Sequence, residues 1–375
     1  MANYDVAAII WPSYSGDDKR AHIFWPEGYG EWQSVKAMPN KGYEGCRWPR
    51  KPLWGYVNEA NSDVMEMQIN AAVRHGVNTF IYDWYWYDDR PFLENCLNDG
   101  FLKARNNREM KFYLMWANHS ATYLWDIRNS HDESTVVWHG KVTEKIFDEI
   151  CDRTIEKYFK QPNYYQIDGC PVYMIFDLSN FLQSFPNLQA ACEGVKRFRA
   201  KTVAAGFRGL HFQLAFFSDR PSAFLNEETG EAYTYRELME LIGFDSFTNY
   251  NWACVPINVD QDYRLVTAEY LAECEKYHGW NTPFYPNITI GWDNNIRFKE
   301  FKPGVMRNNT PEAFEEACES IRRLADRLMA EGKMAAPLIT VNSWNEWTET
   351  SYLEPDDLYG YGYLEALKKV FGAAE

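Results

Sequence analysis

Short apolar runs and amphipathic stretches alternate along the whole chain. Residues 5–11 (DVAAIIW) are near-continuously apolar, as a strand covered on both faces should be. In 62–75 (SDVMEMQINAAVRH), Val64, Met67, Ala71 and His75 recur at helical spacing, with Ser62 or Asp63 as N-cap and Gly76 as stop. The same reading predicts strands at 79–87, 110–118, 171–177, 211–217, 244–252, 284–292 and 336–347. It predicts helices at 91–105, 141–160, 187–205, 235–243, 263–278, 311–332 and 361–372. Eight β-then-α units predict an α/β fold, a (β/α)8 TIM-type barrel in which residues 1–375 form a single catalytic domain. At about 150 residues per domain the length would suit two or three domains, but a barrel alone takes roughly 250. A doubly wound sheet is the other choice. It calls for a Gly-rich phosphate turn after the first strand, where this chain has WPSYSGDDK.

The loop after the first strand, residues 12–57, is far longer than a barrel connection requires. Its aromatic residues (Trp25, Tyr29, Trp32, Tyr43, Trp48, Trp54 and Tyr56) argue against disorder. We expect it to fold as a lid over the C-terminal mouth of the barrel, where active sites of this fold sit.

Composition sharpens the picture in two ways. Aromatic residues make up 17% of the chain, with 15 Trp and 25 Tyr, more flat amphipathic rings than a core requires. Lys+Arg 38 against Asp+Glu 53 gives a net charge of −15, which argues against nucleic acid and anionic membranes as partners. No apolar run approaches the ~18 residues of a membrane span. The opening MANYDVAAIIWPSY lacks a basic n-region and reads as a first strand, not a signal peptide. Eight scattered Cys, with no CxxC and no His pair at metal-ligand spacing, fit a reducing cytoplasm and predict no bound metal.

In a packed barrel the strand interiors should be apolar, and functional groups should appear at strand C-terminal ends. Strand 2 ends in Tyr82-Asp83-Trp84-Tyr85-Trp86-Tyr87 and strand 3 in Trp116-Ala117-Asn118-His119. Strand 4 ends at Asp177, strand 6 in Asn249-Tyr250-Asn251-Trp252, and strand 7 in Gly291-Trp292-Asp293-Asn294. Strand 8 ends in Asn342-Ser343-Trp344-Asn345-Glu346-Trp347-Thr348-Glu349. Rings stack on the apolar faces of sugars, while amides and carboxylates hydrogen-bond hydroxyl groups. No Lys or Arg stands at these tips, so a phosphate would find no counter-charge there. A single Trp or Tyr at a strand end ordinarily packs, and His119 alone reads as a hydrogen-bonded rim residue. The argument rests on convergence. We expect Glu31, Trp32, Asp83, Tyr85, Trp116, Asn118, His119, Tyr250, Trp292, Asp293 and Asn345 to bind a glycan in one cleft with Glu346 and Glu349.

Glu346 and Glu349 stand three apart directly after the apolar LITV. At helical spacing they share a face, about 5–6 Å apart at Cβ. Retaining glycoside chemistry uses two carboxyl groups about 5–5.5 Å apart. Trp344 and Trp347 beside them should raise one carboxyl pKa, leaving an acid and a carboxylate.

The segment NSWNEWTETSYLEPD, followed by YGYGYLEALKK, resembles the C-terminal signature of the WbsX-like proteins, also described as glycoside hydrolase family 99-like. GYGEWQSVK (28–36), VMEMQINAAVRHGVNTFIYDWYWY (64–87), FYLMWANHS (112–120), YYQIDGCPVYMIFD (164–177) and ITIGWDNN (288–295) resemble the same family, in order, from about residue 4 to 371. The resemblance implies a (β/α)8 barrel. Family 99 enzymes are retaining endo-α-mannosidases with a related NEWxEG segment. In them the first Glu deprotonates the sugar 2-OH, giving a 1,2-anhydro sugar, and the second is the acid/base. Carried over, Glu346 is the base on the 2-OH and Glu349 the general acid/base. The chain departs from that pattern at Thr348 and at Thr350, where the family usually has Gly. A β-branched residue adopts φ > 0 poorly, so the backbone past Glu349 is expected to differ.

The function that follows is a cofactor-free retaining glycosidase acting on an α-linked oligosaccharide or polysaccharide. WbsX-like proteins are also labelled glycosyltransferases of O-antigen synthesis, which gives the alternative. A transferase must hold a diphosphate, and Asp83, Asp88-Asp89 and Asp293 form no DxD with a basic partner. A third reading, a carbohydrate-binding barrel without chemistry, would keep the rings and lose a carboxylate. Both are present.

Overall fold

The computed structural model describes residues 4–38, 50–226 and 229–372. Eight strands lie parallel in one sheet: β1 (Asp5–Ile10), β2 (Thr79–Tyr87), β3 (Lys111–Trp116), β4 (Cys170–Ile175), β5 (His211–Ala215), β6 (Ser246–Thr248), β7 (Asn287–Thr289) and β8 (Leu338–Asn342). Their order is β6-β5-β4-β3-β2-β1-β8-β7. A parallel bridge between Phe247 and Phe284 joins the two ends, so the sheet closes into a (β/α)8 barrel. Ala7 of β1 faces Thr79 on one side and Thr340 on the other, which fixes the register where the chain's two ends meet.

The helices are α1 (Trp32–Ala37), α2 (Ser62–Arg74), α3 (Glu144–Thr154), α4 (Leu178–Leu182), α5 (Leu188–Ala204), α6 (Tyr235–Ile242), α7 (Tyr263–Glu275), α8 (Pro311–Ala330) and α9 (Gly362–Phe371). The stripe predicted for α2 is one position off. Met65, Gln68, Ile69 and Ala72 are the buried face. The N-cap is Asn61, whose side chain accepts from the Asp63 N–H. The helix expected over 91–105 is replaced by other structure. Arg90–Phe92 turns back as a strand on β2, followed by a π-turn at Cys96–Gly100 and a 3-10 turn at Phe101–Lys103. Gly100 lies against the Glu59 carbonyl, where a Cβ would come within 2.1 Å, so this position admits only glycine.

The barrel interior is less apolar than expected. Thr248 and Thr340 bond across it at 2.8 Å, Asn251 donates to Asn342 at 2.7 Å, and Tyr113 donates to Gln213 at 3.2 Å. These bonds offset much of the penalty of burying them. Among the described residues no helix is long and apolar enough to cross a membrane.

The described part of residues 12–57 covers the C-terminal mouth. Trp25 stacks on Trp125 at 6.1 Å, Trp32 meets Trp347 at 5.8 Å, and Pro52 bridges to Asp356. Tyr43 and Trp48 lie outside the described residues.

Candidate active site

Alternation along β2 sets the site. Asp83 and Tyr85 share a parity and enter the mouth, while Trp84 turns out to bond Glu94 at 2.8 Å. Trp11, at the end of β1, Tyr250, after β6, and His119, after β3, enter with them. Leu124, Trp125 and Phe176 complete an aromatic cleft that holds Glu346 and Glu349 and encloses about 480 Å³ including its mouth.

The chain places the two glutamates through a hairpin. Asn345–Glu346 pairs with Ser351–Tyr352, and Trp347–Glu349 makes a 3-10 turn between them. Thr350 closes that turn in the left-handed conformation, φ 58°. The expectation that Thr350 would avoid this conformation is overturned. Its hydroxyl donates to the Asp293 carbonyl at 2.9 Å and offsets the steric cost. Thr350→Gly should therefore stay within about 1 kcal/mol of wild type, whereas Thr350→Val keeps the strain, loses the bond and should cost about 1–3 kcal/mol in denaturant unfolding.

One functional group escapes the sequence reading. Arg297, in the 3-10 turn Asn295–Arg297 beyond β7, is buried in the cleft, contrary to the expectation that no cation stands there. Its Nη1 donates to Glu349 Oε1 at 2.6 Å and its Nη2 to Glu346 Oε1 at 2.7 Å. Its Nε reaches Glu31 Oε1 at 3.4 Å, and Trp11 Nε1 bonds the other Glu31 oxygen. One guanidinium thus gathers three carboxylates. Asp83 stands in the same cleft and meets Tyr250 Oη at 3.5 Å. Burial raises Glu346 well above the ordinary carboxylate range, with the Glu349 charge adding to it and Arg297 opposing. Burial also raises Glu349, against Arg297. Asp83 is pushed well up by burial and by the Glu349 charge. Burial holds His119 down, so its ring is uncharged. Asp83 Oδ1 and Glu349 Oε2 are buried without a hydrogen-bond partner.

Of the predicted cleft residues, Asp83, Tyr85, His119, Tyr250, Glu346 and Glu349 line it. Glu31 stands directly behind Arg297. The others do not line it. Trp116 has the outward parity of β3 and stacks on Phe147 of α3 at 6.1 Å. Asn118 locks two loops together through both main-chain groups of Asp177. Trp32 packs on Tyr14 at 4.2 Å as a wall of the lid. Trp292 is half-buried against the core. Asp293 accepts from the Asn295 N–H at 3.0 Å and its side-chain amide at 2.7 Å, bracing the turn that carries Arg297. Asn345 ties Trp11 and Glu59 together.

Two comparisons with other proteins bear on the fold. A solved structure of a GH99 endo-α-mannosidase from Bacteroides thetaiotaomicron superposes with TM-score 0.56 at 12% identity, covering 98% of this chain and 95% of that one. A solved glycoside hydrolase-like protein gives TM-score 0.58 at 14% identity, covering 100% and 95%. Among curated proteins, the uncharacterised protein WxcX of Xanthomonas campestris pv. campestris is 24% identical over 365 residues, in strains B100 and ATCC 33913 alike. That match takes in 94% of this chain and 47% of WxcX, so the chain spans about half the length of these relatives. The model of the family described as glycosyltransferase WbsX matches residues 8–367, and the chain belongs to that family.

Proposed function

We propose that this chain is a retaining glycoside hydrolase that cleaves an α-linked glycan through Glu346 and Glu349, with no cofactor. The observation that carries this reading is the convergence of both glutamates on Arg297 inside an aromatic cleft, with a buried Glu349 oxygen left unpartnered. Glu349 is the acid/base, its free oxygen available to protonate the departing glycosidic oxygen. Glu346 is the base that removes the sugar 2-OH proton, so that O2 attacks C1 to give a 1,2-anhydro sugar; failing that, it attacks C1 itself. Water then opens the intermediate with Glu349 as base, and the configuration is retained. Asp83 and Tyr250 bind sugar hydroxyls beside them, while Trp11, Tyr85 and Trp125 offer ring faces.

The family description favours a glycosyltransferase as the second reading. Such an enzyme must neutralise a donor diphosphate. The ion-paired cation of the cleft already contacts three carboxylates, so a diphosphate would meet net negative charge. Incubation with a panel of α-linked oligosaccharides, without any nucleotide and with excess chelator, should release reducing sugar at the rate seen without chelator. Turnover that requires a nucleotide sugar, or that vanishes on chelation and returns with a divalent ion, would replace hydrolysis by transfer.

A further inference from the structure

Behind the catalytic turn lies a second pair of buried carboxyl groups that the chemistry above does not use. Glu59 ends the loop before α2 and Glu354 follows the hairpin, and they are 0% and 2% exposed. Gln68, on the buried face of α2, joins them. Its Nε2 donates to Glu59 Oε1 at 3.2 Å and to Glu354 Oε1 at 2.8 Å. Its Oε1 accepts from Trp344 Nε1 at 3.1 Å. Glu59 also accepts from Asn345 Nδ2, at 2.9 and 3.0 Å, and from the Cys96 thiol at 3.8 Å. Glu354 Oε2 accepts from Trp347 Nε1 at 2.6 Å. Trp344, Asn345 and Trp347 are therefore all fastened to this cluster. Of the four consecutive residues 344–347, Glu346 is the one whose side chain turns to the cleft.

Among the described residues no Lys, Arg or His forms an ion pair with Glu59 or Glu354. The titratable groups that face the pair are Cys96 beyond β2, Tyr82 on β2 and Tyr14 in the lid, whose hydroxyl also accepts from the Trp347 N–H. Burial raises all three, so each is neutral and none supplies positive charge.

We propose that Glu59 and Glu354 share one proton, donated by Glu354 to the Glu59 carboxylate, and that this pair is a positioning device for Glu346. The donor count sets the direction. Glu59 receives Gln68, Asn345 and Cys96 and is the carboxylate; Glu354 receives only Gln68 and Trp347 and carries the proton. Two ionised carboxylates here, out of water and without a cation, would repel and push apart the hairpin and the loop they tie. Burial raises Glu59 to about 7 and Glu354 well above the ordinary range, with the charge of Glu59 adding to the latter. The positioning role rests on the reading of Glu346 as catalytic; the shared proton does not.

A raised carboxyl adds stability that is present at low pH and is lost as pH rises through its folded value. For Glu59 the loss runs from the ordinary glutamate range through about 7, and for Glu354, raised well above that range, it continues as pH rises. Glu354→Gln replaces the shared proton by a permanent amide N–H. Its Tm should equal or fall below wild type near pH 5 and gain on wild type steadily towards pH 9. Its kcat near pH 6 should stay within about threefold of wild type, since the amide oxygen still accepts from Trp347 Nε1. Glu354→Ala should lose about 10–100-fold in kcat with little change in KM, because the turn drifts while the sugar-binding rings stay. A Tm difference constant with pH overturns the shared proton. Equal kcat for the Gln and Ala variants overturns the positioning role. A wild type inactive on every glycan, with the Tm crossover intact, overturns the enzymatic reading and the positioning role with it, and leaves the shared proton standing.

Discussion

Glu349→Gln should lower turnover of a glycan with a poor leaving group by about 10²–10⁴-fold, the usual contribution of general acid/base assistance. The amide keeps the volume and one acceptor for Arg297, so the fold survives and the loss reports chemistry. With an activated aryl leaving group protonation matters less, and much of the loss should disappear. Glu346→Gln should lose activity with both substrates, because no leaving group replaces the push at the 2-OH or at C1. A 2-deoxy substrate separates those two routes: it blocks the anhydro sugar and leaves direct attack by Glu346 open. The kcat/KM profile of wild type should be bell-shaped, with both limbs belonging to the Glu346–Glu349 pair on Arg297 and not to either residue alone. Near wild-type turnover of both variants on a competent substrate would remove the pair from the mechanism and return attention to Asp83.

Arg297→Met should destabilise the protein by about 3–5 kcal/mol at neutral pH, since removing one member of a buried ion cluster strands its partners. Glu31, Glu346 and Glu349 would lose the one cation that bridges them. The pH dependence follows from the direction of the shifts. Glu346 and Glu349 are raised in the folded state, so the folded protein binds more protons and their contribution falls as pH rises. Without Arg297 nothing opposes burial and mutual repulsion, so that fall steepens. The stability deficit of the variant should shrink towards about pH 5 and widen towards about pH 8. Thermal unfolding of both proteins across that range measures it, and a deficit independent of pH would show that the carboxylates do not depend on the guanidinium.

The barrel was legible because its strands are buried on both faces and several read as short, mostly apolar runs. TFIYDWYWY defines β2 to the residue, and its alternation sends Asp83 and Tyr85 inward. The same alternation in FYLMWAN turns Trp116 outward, in register with Trp84. Asn118, Asp293 and Asn345 were found at the rim for a different reason than expected: they satisfy loop backbone and brace neighbouring turns. Arg297 was not legible as a site residue. It lies four positions past Asp293 in a non-periodic turn, and only the closed barrel brings it to Glu31 from the lid and Glu346 from the hairpin after β8. The turn formers Asp293, Asn294 and Asn295 just ahead of it were the one local hint. Segment 91–105 departs from the helix its apolar spacing suggests: Arg90–Phe92 pairs back on β2, and Gly100 packs on the Glu59 backbone.

The paired roles of Glu346 and Glu349 are tested most directly by the configuration of the first product. An α-linked glycan cleaved in an NMR tube should release the α-anomer initially, with the β-anomer appearing only by mutarotation. Initial release of the β-anomer would mean inversion and would contradict both assigned roles.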